Sequence, residues 1–280
     1  MKLEGKVAIV TAAGQGIGRG IALCLAEEGA DVVVNALHEE SAGKVAAEVK
    51  ALGRKSLPVA GDVSQSEKVL QVVQETINTF GKIDILVNNL GTARTAEPGP
   101  GLLDQVEAEW EANYRFNLKP TFLMCEAVVP YFIKQKSGKV VNISSVAARN
   151  VIPFAAVFPE TAYGCMKVAI IRFTKKLATE LGKYNINANC ICPGVVYTPA
   201  WEMGAKVTVE TVPEYKGIKP RDWFVGFAEG KYPELGLTPL GREQTVEDIG
   251  RAVVFLVSED SKNITGHSLN IDGGLFMPMP

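Results

Sequence analysis

Apolar residues along this chain follow two alternating rhythms. Val7-Ala-Ile-Val-Thr11 is a short, β-branched apolar run, the pattern of a buried strand. Arg19-Gly-Ile-Ala-Leu-Cys-Leu-Ala-Glu-Glu28 then spaces its apolar side chains as one face of a helix. The pair of signals recurs. Strands are expected near 7–11, 32–36, 56–60, 83–87, 139–143, 187–191 and 268–271, with helices near 16–28, 39–52, 66–79, 104–135, 162–182 and 245–257. That alternation predicts an α/β fold, a parallel sheet covered by helices on both faces through right-handed crossovers. Two stretches break the rhythm: 146–160, long for a strand-to-helix loop, and 195–243, rich in proline and aromatic residues. No internal repeat or low-complexity linker divides the chain.

Composition narrows the reading. A chain of 280 residues with 47% hydrophobic content can bury one large core, so 1–280 is expected to form a single domain. A formal net charge of −2 leaves no basic footprint for nucleic acid. The absence of an eighteen-residue apolar run and of a charged-then-apolar leader argues against a membrane span and a secretory signal, and cytoplasm is the expected compartment. The five cysteines (24, 125, 165, 190 and 192) have no metal-ligand spacing. Cys190 and Cys192 alternate to one face of a strand and read as small buried hydrophobes. Cys165 as a nucleophile has no histidine partner in view, and with only His38 and His267 neither a histidine triad nor a histidine metal site is expected.

Two constellations carry chemistry. Ala12-Ala-Gly-Gln-Gly-Ile-Gly18 lies between the first strand and the first helix. There glycines admit the backbone to a pyrophosphate, and the helix N-terminus offers free N–H groups and a positive dipole end. Tyr163-Gly-Cys-Met-Lys167 places a phenol and an ammonium on one helix face. Making a phenol a base near neutral pH needs a shift of roughly 2–3 units from about 10, or about 3–4 kcal/mol, and a cation at contact can supply much of it. Ser144 and Ser145 lie upstream, either able to orient a carbonyl or alcohol oxygen. Tyr-x-x-x-Lys also arises by chance on many helices, so the pair alone does not define a site.

Together and in order, these motifs resemble the compact branch of the short-chain dehydrogenases/reductases, nearly end to end. The family's glycine motif aligns with Thr11, Ala12, Gly16 and Gly18, its adenine-contacting pair with Asp62-Val63, and its Asn-Asn-Ala-Gly with Asn88-Asn89-Leu90-Gly91. The helix asparagine aligns with Asn117, the strand-end serine with Ser145, the reactive pair with Tyr163 and Lys167, the nicotinamide-end segment with Pro193-Gly194 and Thr198, and the closing strand with Asp272-Gly273-Gly274. The resemblance implies a Rossmann-type doubly wound parallel seven-stranded sheet of order 3-2-1-4-5-6-7, a homotetramer, and a substrate lid over about 195–243. It implies hydride exchange between nicotinamide and an alcohol or ketone. Tyr163 would move the proton, Lys167 would lower its pKa and bind the nicotinamide ribose, Ser145 would hold the substrate oxygen, and Asn117 would anchor a proton-carrying water. On residues alone, Asn117 reads equally as a helix irregularity or cap ahead of Pro120. Cofactor contacts are expected from Ala12, Gly14, Gln15, Gly16, Ile17, Gly18, Leu37, Asp62, Val63, Asn89, Gly91, Tyr163, Lys167, Pro193, Val196 and Thr198, and no metal is expected.

The departures carry information. Ala12 replaces the family's first glycine, tolerable unless the backbone needs positive φ; a slightly altered turn is expected. Leu90 replaces a small alanine. The Ser145–Tyr163 spacing is about five residues longer than the family's usual one, and Arg149–Glu160 is expected to bulge into the substrate mouth. NAD and NADP both remain open, because Val34-Asn35-Ala36-Leu37-His38 ends without the acid that binds a ribose 2′-OH, and Gln15 and Leu37 supply no base, which leaves His38 or Arg19 as candidates for it. Trp201, Tyr215, Trp223, Phe224, Phe227 and Tyr232, with Phe154 and Phe158, would line a pocket for a bulky, largely apolar ketone or alcohol, or pack the lid itself or a subunit contact. Between 199 and 240, five Lys/Arg against six Asp/Glu give no case for a strongly anionic substrate. The apolar tail Leu275–Pro280 is expected on a neighbouring subunit, with a free hydrophobic tail as the alternative. Two other classes share the fold: a non-catalytic dinucleotide-binding regulator, which has no need of Ser145, Tyr163 and Lys167, and a lyase or epimerase with tightly held cofactor.

Overall fold

The computed structural model describes residues 1–92, 106–149, 161–232 and 238–277. Seven strands form one parallel sheet of order β3-β2-β1-β4-β5-β6-β7: β1 Val7–Val10, β2 Asp31–Ala36, β3 Ser56–Ala60, β4 Ile85–Asn88, β5 Gly138–Ile143, β6 Ile186–Pro193 and β7 Ser268–Ile271. The side-chain period of two divides the core between the faces. Ala8, Val10, Val32, Val34, Ile85 and Val87 meet α1 (Gly16–Glu27), α2 (Glu39–Ala51) and α9 (Val246–Val257). Ile9, Val33, Leu86 and Val140 meet α3 (Ser66–Phe80), α5 (Lys119–Gln135) and α6 (Thr161–Leu181). The order reverses between β1 and β4, so their carboxyl ends splay into the crevice where ligands bind in open α/β sheets.

Two expectations about elements change. The stretch expected as one helix over 104–135 comprises, in its described part, α4 (Glu107–Asn113), a wide π-helical turn (Tyr114–Leu118) and α5. Pro120 is the cause, since it lacks an N–H and its ring crowds the carbonyl four residues before it. The 195–243 stretch contains two helices, α7 (Pro199–Thr211) and α8 (Pro220–Ala228). Each opens on its proline, which fits the first turn of a helix because that N–H has no partner there.

Tyr215, Trp223, Phe224 and Phe227 are buried against Val195, Ala205 and Val209 in a core belonging to this cap, with Trp201 and Tyr232 packed on it. Trp223 stacks on Phe227 at 5.9 Å and on Tyr232 at 6.2 Å. Of the two sequence readings for these rings, packing is the one observed. Leu275 of the tail joins the same core, and the Phe276 N–H donates to Asp272 Oδ2 at 2.9 Å, so the tail begins by packing on its own chain. Of the bulge expected over Arg149–Glu160, only Arg149 is described, donating to the Ser268 carbonyl at 3.0 Å; 150–160, with Phe154 and Phe158, lie outside the described residues.

Candidate active site

The glycine-rich turn leaves β1 at its carboxyl end and opens α1. Ala12 adopts φ +49°, the left-handed region, so the turn does need positive φ and the expected alteration gives way to local strain. Its N–H donates to Asn35 Oδ1 at 3.4 Å and its carbonyl accepts from Asn89 Nδ2 at 3.2 Å. Gly16 is also left-handed, at φ +54°. A Cβ on Gly14 would reach 2.8 Å from Ser41 Oγ, and one on Gly18 would collide with the Ala12 carbonyl and the Asn89 amide. Gln15 caps α1 through its extended backbone and is exposed, while Ile17 packs partly on the core. The result is a side-chain-free cradle at a helix N-terminus, which fits a pyrophosphate.

Asp62, Val63 and Asn89 surround the next strand ends. Asp62 would be pushed up by burial, but the Ser64 N–H at 2.9 Å, the Ser64 and Gln65 side chains and Arg115 at 3.4 Å together hold it below its usual value. Val63 is buried, and Leu37, at the end of β2, is 62% exposed. Leu90 packs partly on the α3–α5 side of the core. Asn35 went unnoticed in the sequence. It is buried, and its Nδ2 donates to the carbonyls of Val59 and Gly61 at 3.2 and 3.1 Å while its Oδ1 holds the Ala12 N–H. A polar residue inside an otherwise apolar strand, Val32-Val-Val-Asn35-Ala36, was the available signal.

The reactive pair stands on α6. Ser144 is buried and donates to the Lys167 carbonyl at 2.8 Å, whereas Ser145 is half-buried, its Oγ accepting the Ala147 N–H at 3.1 Å. Strand alternation thus gives Ser144 to the scaffold and leaves the Ser145 hydroxyl hydrogen to donate. A buried chain from Asn88 Nδ2 to Asn142 Oδ1, and from Asn142 Nδ2 to Thr174 Oγ1, each 2.9 Å, fixes α6 against β4 and β5. The Lys167 ammonium lies 5.3 Å from the centre of the Tyr163 ring and donates to the Ile143 carbonyl at 3.2 Å. Lys167 is 2% exposed, and burial pushes its pKa down to about 8, with Cys190 and Cys192 close by and opposing the shift. Both cysteines are buried in one cluster with Ile170 and Ile171.

Asn117, in the π-helical turn, is wholly buried; its Nδ2 donates to Asn113 O at 2.9 Å and Thr92 O at 3.0 Å. Its Oδ1 is buried with no hydrogen-bond partner among the described residues. A Cβ on Gly91 would sit 3.0 Å from that oxygen and collide with Lys167 Nζ, so Asn117 and Lys167 face one small gap that glycine keeps open. An orphaned acceptor beside an ammonium fits a bridging water there. Beyond it, β6 ends at the buried Pro193, Val196 is buried, and Thr198 caps α7 by accepting the Trp201 N–H at 3.4 Å. A Cβ on Gly16 would lie 3.5 Å from Thr198 Cγ2, so the segment closes back onto the glycine turn. Cradle, crevice and reactive pair line the carboxyl end of the sheet, the side on which open α/β sheets bind their ligands.

Fold and turn together define a dinucleotide-binding α/β protein of the Rossmann type. Residues 6–206 match the family model for the short chain dehydrogenases, and 226–276 match one described as Enoyl-(Acyl carrier protein) reductase. The chain belongs to the short-chain dehydrogenase/reductase family and is an oxidoreductase that uses NAD or NADP. It is 34% identical to the 3-oxoacyl-[acyl-carrier-protein] reductase FabG of Thermotoga maritima, over 98% of this chain and 99% of that protein. It is 32% identical to the (2S)-[(R)-hydroxy(phenyl)methyl]succinyl-CoA dehydrogenase subunit BbsD of Thauera aromatica, over 98% of each. Among solved structures, L-sorbose reductase from Gluconobacter frateurii, complexed with NADPH and L-sorbose, superposes with a TM-score of 0.85 at 29% identity over 100% of each chain. A 7α-hydroxysteroid dehydrogenase with NADH and 7-oxo glycochenodeoxycholic acid gives 0.81 at 30% identity, covering 98% of this chain and 95% of that one. Among the described residues no helix is long and apolar enough to cross a membrane, and no group of three or more His, Cys, Asp or Glu is placed to hold a metal.

Proposed function

We propose that this protein interconverts a ketone and a secondary alcohol, with Tyr163 exchanging the proton at its phenolic oxygen. The observation that carries the reading is the Lys167 ammonium, buried and 5.3 Å from the Tyr163 ring centre, on the helix that flanks the crevice. When bound, nicotinamide supplies or accepts the hydride. Ala12, Gly14, Gln15, Gly16, Ile17 and Gly18 would hold the pyrophosphate, Leu37, Asp62, Val63, Asn89 and Gly91 the adenosine side, and Pro193, Val196 and Thr198 the nicotinamide end. The buried cation favours the phenolate over the phenol and so makes Tyr163 a usable base in the alcohol-oxidising direction. Ser145 orients the substrate oxygen through its free hydroxyl hydrogen. Asn117 and Lys167 return the proton to solvent through the gap beside Gly91.

The substrate we propose is a bulky, largely apolar ketone or its alcohol. With the cap's rings packed on one another, support for it rests on the near-balanced charge of the cap, on the exposed Met203 and Val207 of α7, and on the structural likeness to a steroid dehydrogenase. A 3-oxoacyl thioester is the second reading, favoured by the identity to FabG along almost the whole chain. The protein acts, on this proposal, as a homotetramer in the cytoplasm, where its five free cysteines stay reduced.

Titration of nucleotide-free protein with NADH and NADPH, followed by nicotinamide fluorescence, fixes the coenzyme; an alicyclic ketone, a steroid ketone and a 3-oxoacyl thioester are then offered with it. Turnover of the cyclic ketones in preference to the thioester is expected, and the reverse order replaces the first substrate reading by the second. Tyr163→Phe is expected to lower kcat by about 10²–10⁴-fold with the coenzyme Kd almost unchanged. Near-normal turnover in that variant would remove Tyr163 from the mechanism.

A further inference from the structure

Behind the Pro193–Thr198 segment lies Gln244, a residue with no part in the reading above. It is 5% exposed and both ends of its amide are used. Its Oε1 accepts the Val195 N–H at 3.0 Å and its Nε2 donates to the Arg242 carbonyl at 2.9 Å. Its own N–H donates to the Val195 carbonyl at 3.3 Å, and Val196 and Gln244 form an isolated parallel bridge. The amide also touches the two glycines on either side: a Cβ on Gly194 would stand 2.8 Å from Oε1, and one on Gly273 2.8 Å from Nε2. One side chain therefore joins the end of β6 to the turn after β7. Val195 is buried, so without Gln244 its N–H would lose its acceptor away from water.

The preceding residue points the other way. Glu243 takes both arms of Arg221 on α8 at 2.6 Å each, a bidentate pair, and the guanidinium lies 4.4 Å over the Tyr197 ring and 5.7 Å from that of Phe224. Two adjacent residues thus grip two different bodies, the segment before α7 and the cap helix.

We propose that Gln244 is a positioning residue for the nicotinamide end of the coenzyme, and that Glu243 seats the α8 cap against the same segment through Arg221. The inference rests on the reading that Pro193–Thr198 holds that end. Gln244 sets the path of Val195 and Val196, and Val196 precedes by two residues the Thr198 that meets the glycine turn. The coenzyme affinity is therefore tuned by an amide that does not touch the coenzyme, and the cap's position is tied to it through the peptide bond between 243 and 244.

The test is hydrogen–deuterium exchange on the full chain, without and with whichever of NADH or NADPH binds, together with the coenzyme Kd by fluorescence. In the wild type the amides of 194–198 gain protection on binding. Gln244→Met keeps the length and loses the acceptor; it is expected to weaken the coenzyme about ten-fold, to lose that protection at 195 and 196, and to raise the coenzyme KM more than it lowers kcat. Gln244→Glu keeps an acceptor for Val195 and is expected to recover most of the affinity. Glu243→Gln is expected to speed exchange in α8 with the coenzyme Kd held within about two-fold. Amides of β1 and β4 report in each variant that the fold is intact. Wild-type Kd and protection in Gln244→Met would overturn the Gln244 role, and unchanged α8 exchange in Glu243→Gln would overturn the seating of the cap. Coenzyme binding to the wild type with no protection at 194–198 would overturn the underlying placement, and this inference with it.

Discussion

Ala12 carries a cost that its glycine-bearing relatives in the family pattern avoid. At φ +49° its Cβ crowds the following carbonyl oxygen, a penalty of about 1–2 kcal/mol. Ala12→Gly removes the crowding but also loosens the unfolded chain, which costs about 0.4–1 kcal/mol in the other direction. A net gain of about 0.5–1 kcal/mol is expected, read as a higher urea midpoint at unchanged slope; a lower midpoint would show that the turn is relaxed with alanine. Lys167 sets a pH dependence. Its folded-state value of about 8 lies below the ordinary 10.5, so between those values the unfolded chain binds more protons and stability rises with pH. The burial penalty is therefore full below pH 8 and gone above about pH 10.5. Lys167→Met is expected to be more stable than wild type by about 3 kcal/mol at pH 7, the difference closing towards pH 10.5, while turnover is lost. Denaturant titrations of both proteins from pH 7 to 10.5 measure it, and a constant difference would show that burial does not set this pKa. Tyr163 and Lys167 were legible in the sequence because a four-residue step fixes one helix face. The φ of Ala12 was not, since residue type alone does not say which turn the neighbouring strands impose.

The π-helical turn is where an element, not a residue, builds the site. Within the widened turn Tyr114–Leu118 the Asn117 side chain donates back to the Asn113 carbonyl at 2.9 Å. The other end of that amide is thereby aimed at Gly91 and Lys167. The sequence offered two readings of Asn117, helix irregularity or catalytic-site asparagine; the structure shows the irregularity, and the irregularity is what points the side chain. Apolar period could not reveal it, because Glu107–Asn113 ahead of the turn is only about two turns long and sets no phase against which one extra residue would show. The same holds for α7 and α8, whose opening prolines looked like interruptions until their positions in the first turn were known. Asn117→Ala leaves the Asn113 and Thr92 carbonyls without their side-chain donor, and a loss of about 1–3 kcal/mol is expected by urea unfolding. Stability equal to wild type would mean that the turn holds without the asparagine and that its carbonyl end is the whole of its role.

At the scale of the molecule, the strand positions were written in the β-branched runs, but the order of the sheet was not, since a strand's period says nothing about its neighbours; that order came from the family resemblance. What the order does is put β1 and β4 side by side with their connections leaving in opposite directions, so the glycine turn, Asn89 and Gly91 share one crevice. It also puts α5 and α6 together on an outer side that no described residue covers. Between them runs a groove lined by Tyr114, Leu118, Phe122, Ala169, Arg172 and Phe173. Tyr114, Phe122 and Val168 are 46%, 44% and 49% exposed, and the Phe122 ring meets Phe173 edge-on at 6.3 Å. Large apolar side chains gathered along two long helices are costly in water and are what an isologous contact between copies buries. The proposed assembly is therefore expected to close through this side, where α5 and α6 of one copy meet those of another. Phe122→Glu places a charge inside that contact without touching Ser145, Tyr163 or Lys167, and is expected to shift the mass measured by light scattering to a smaller species at micromolar concentration while the circular dichroism spectrum stays native. A wild-type chain that runs as a monomer would end the assembly proposal altogether. A Phe122→Glu chain that keeps the wild-type mass would move the contact to another surface.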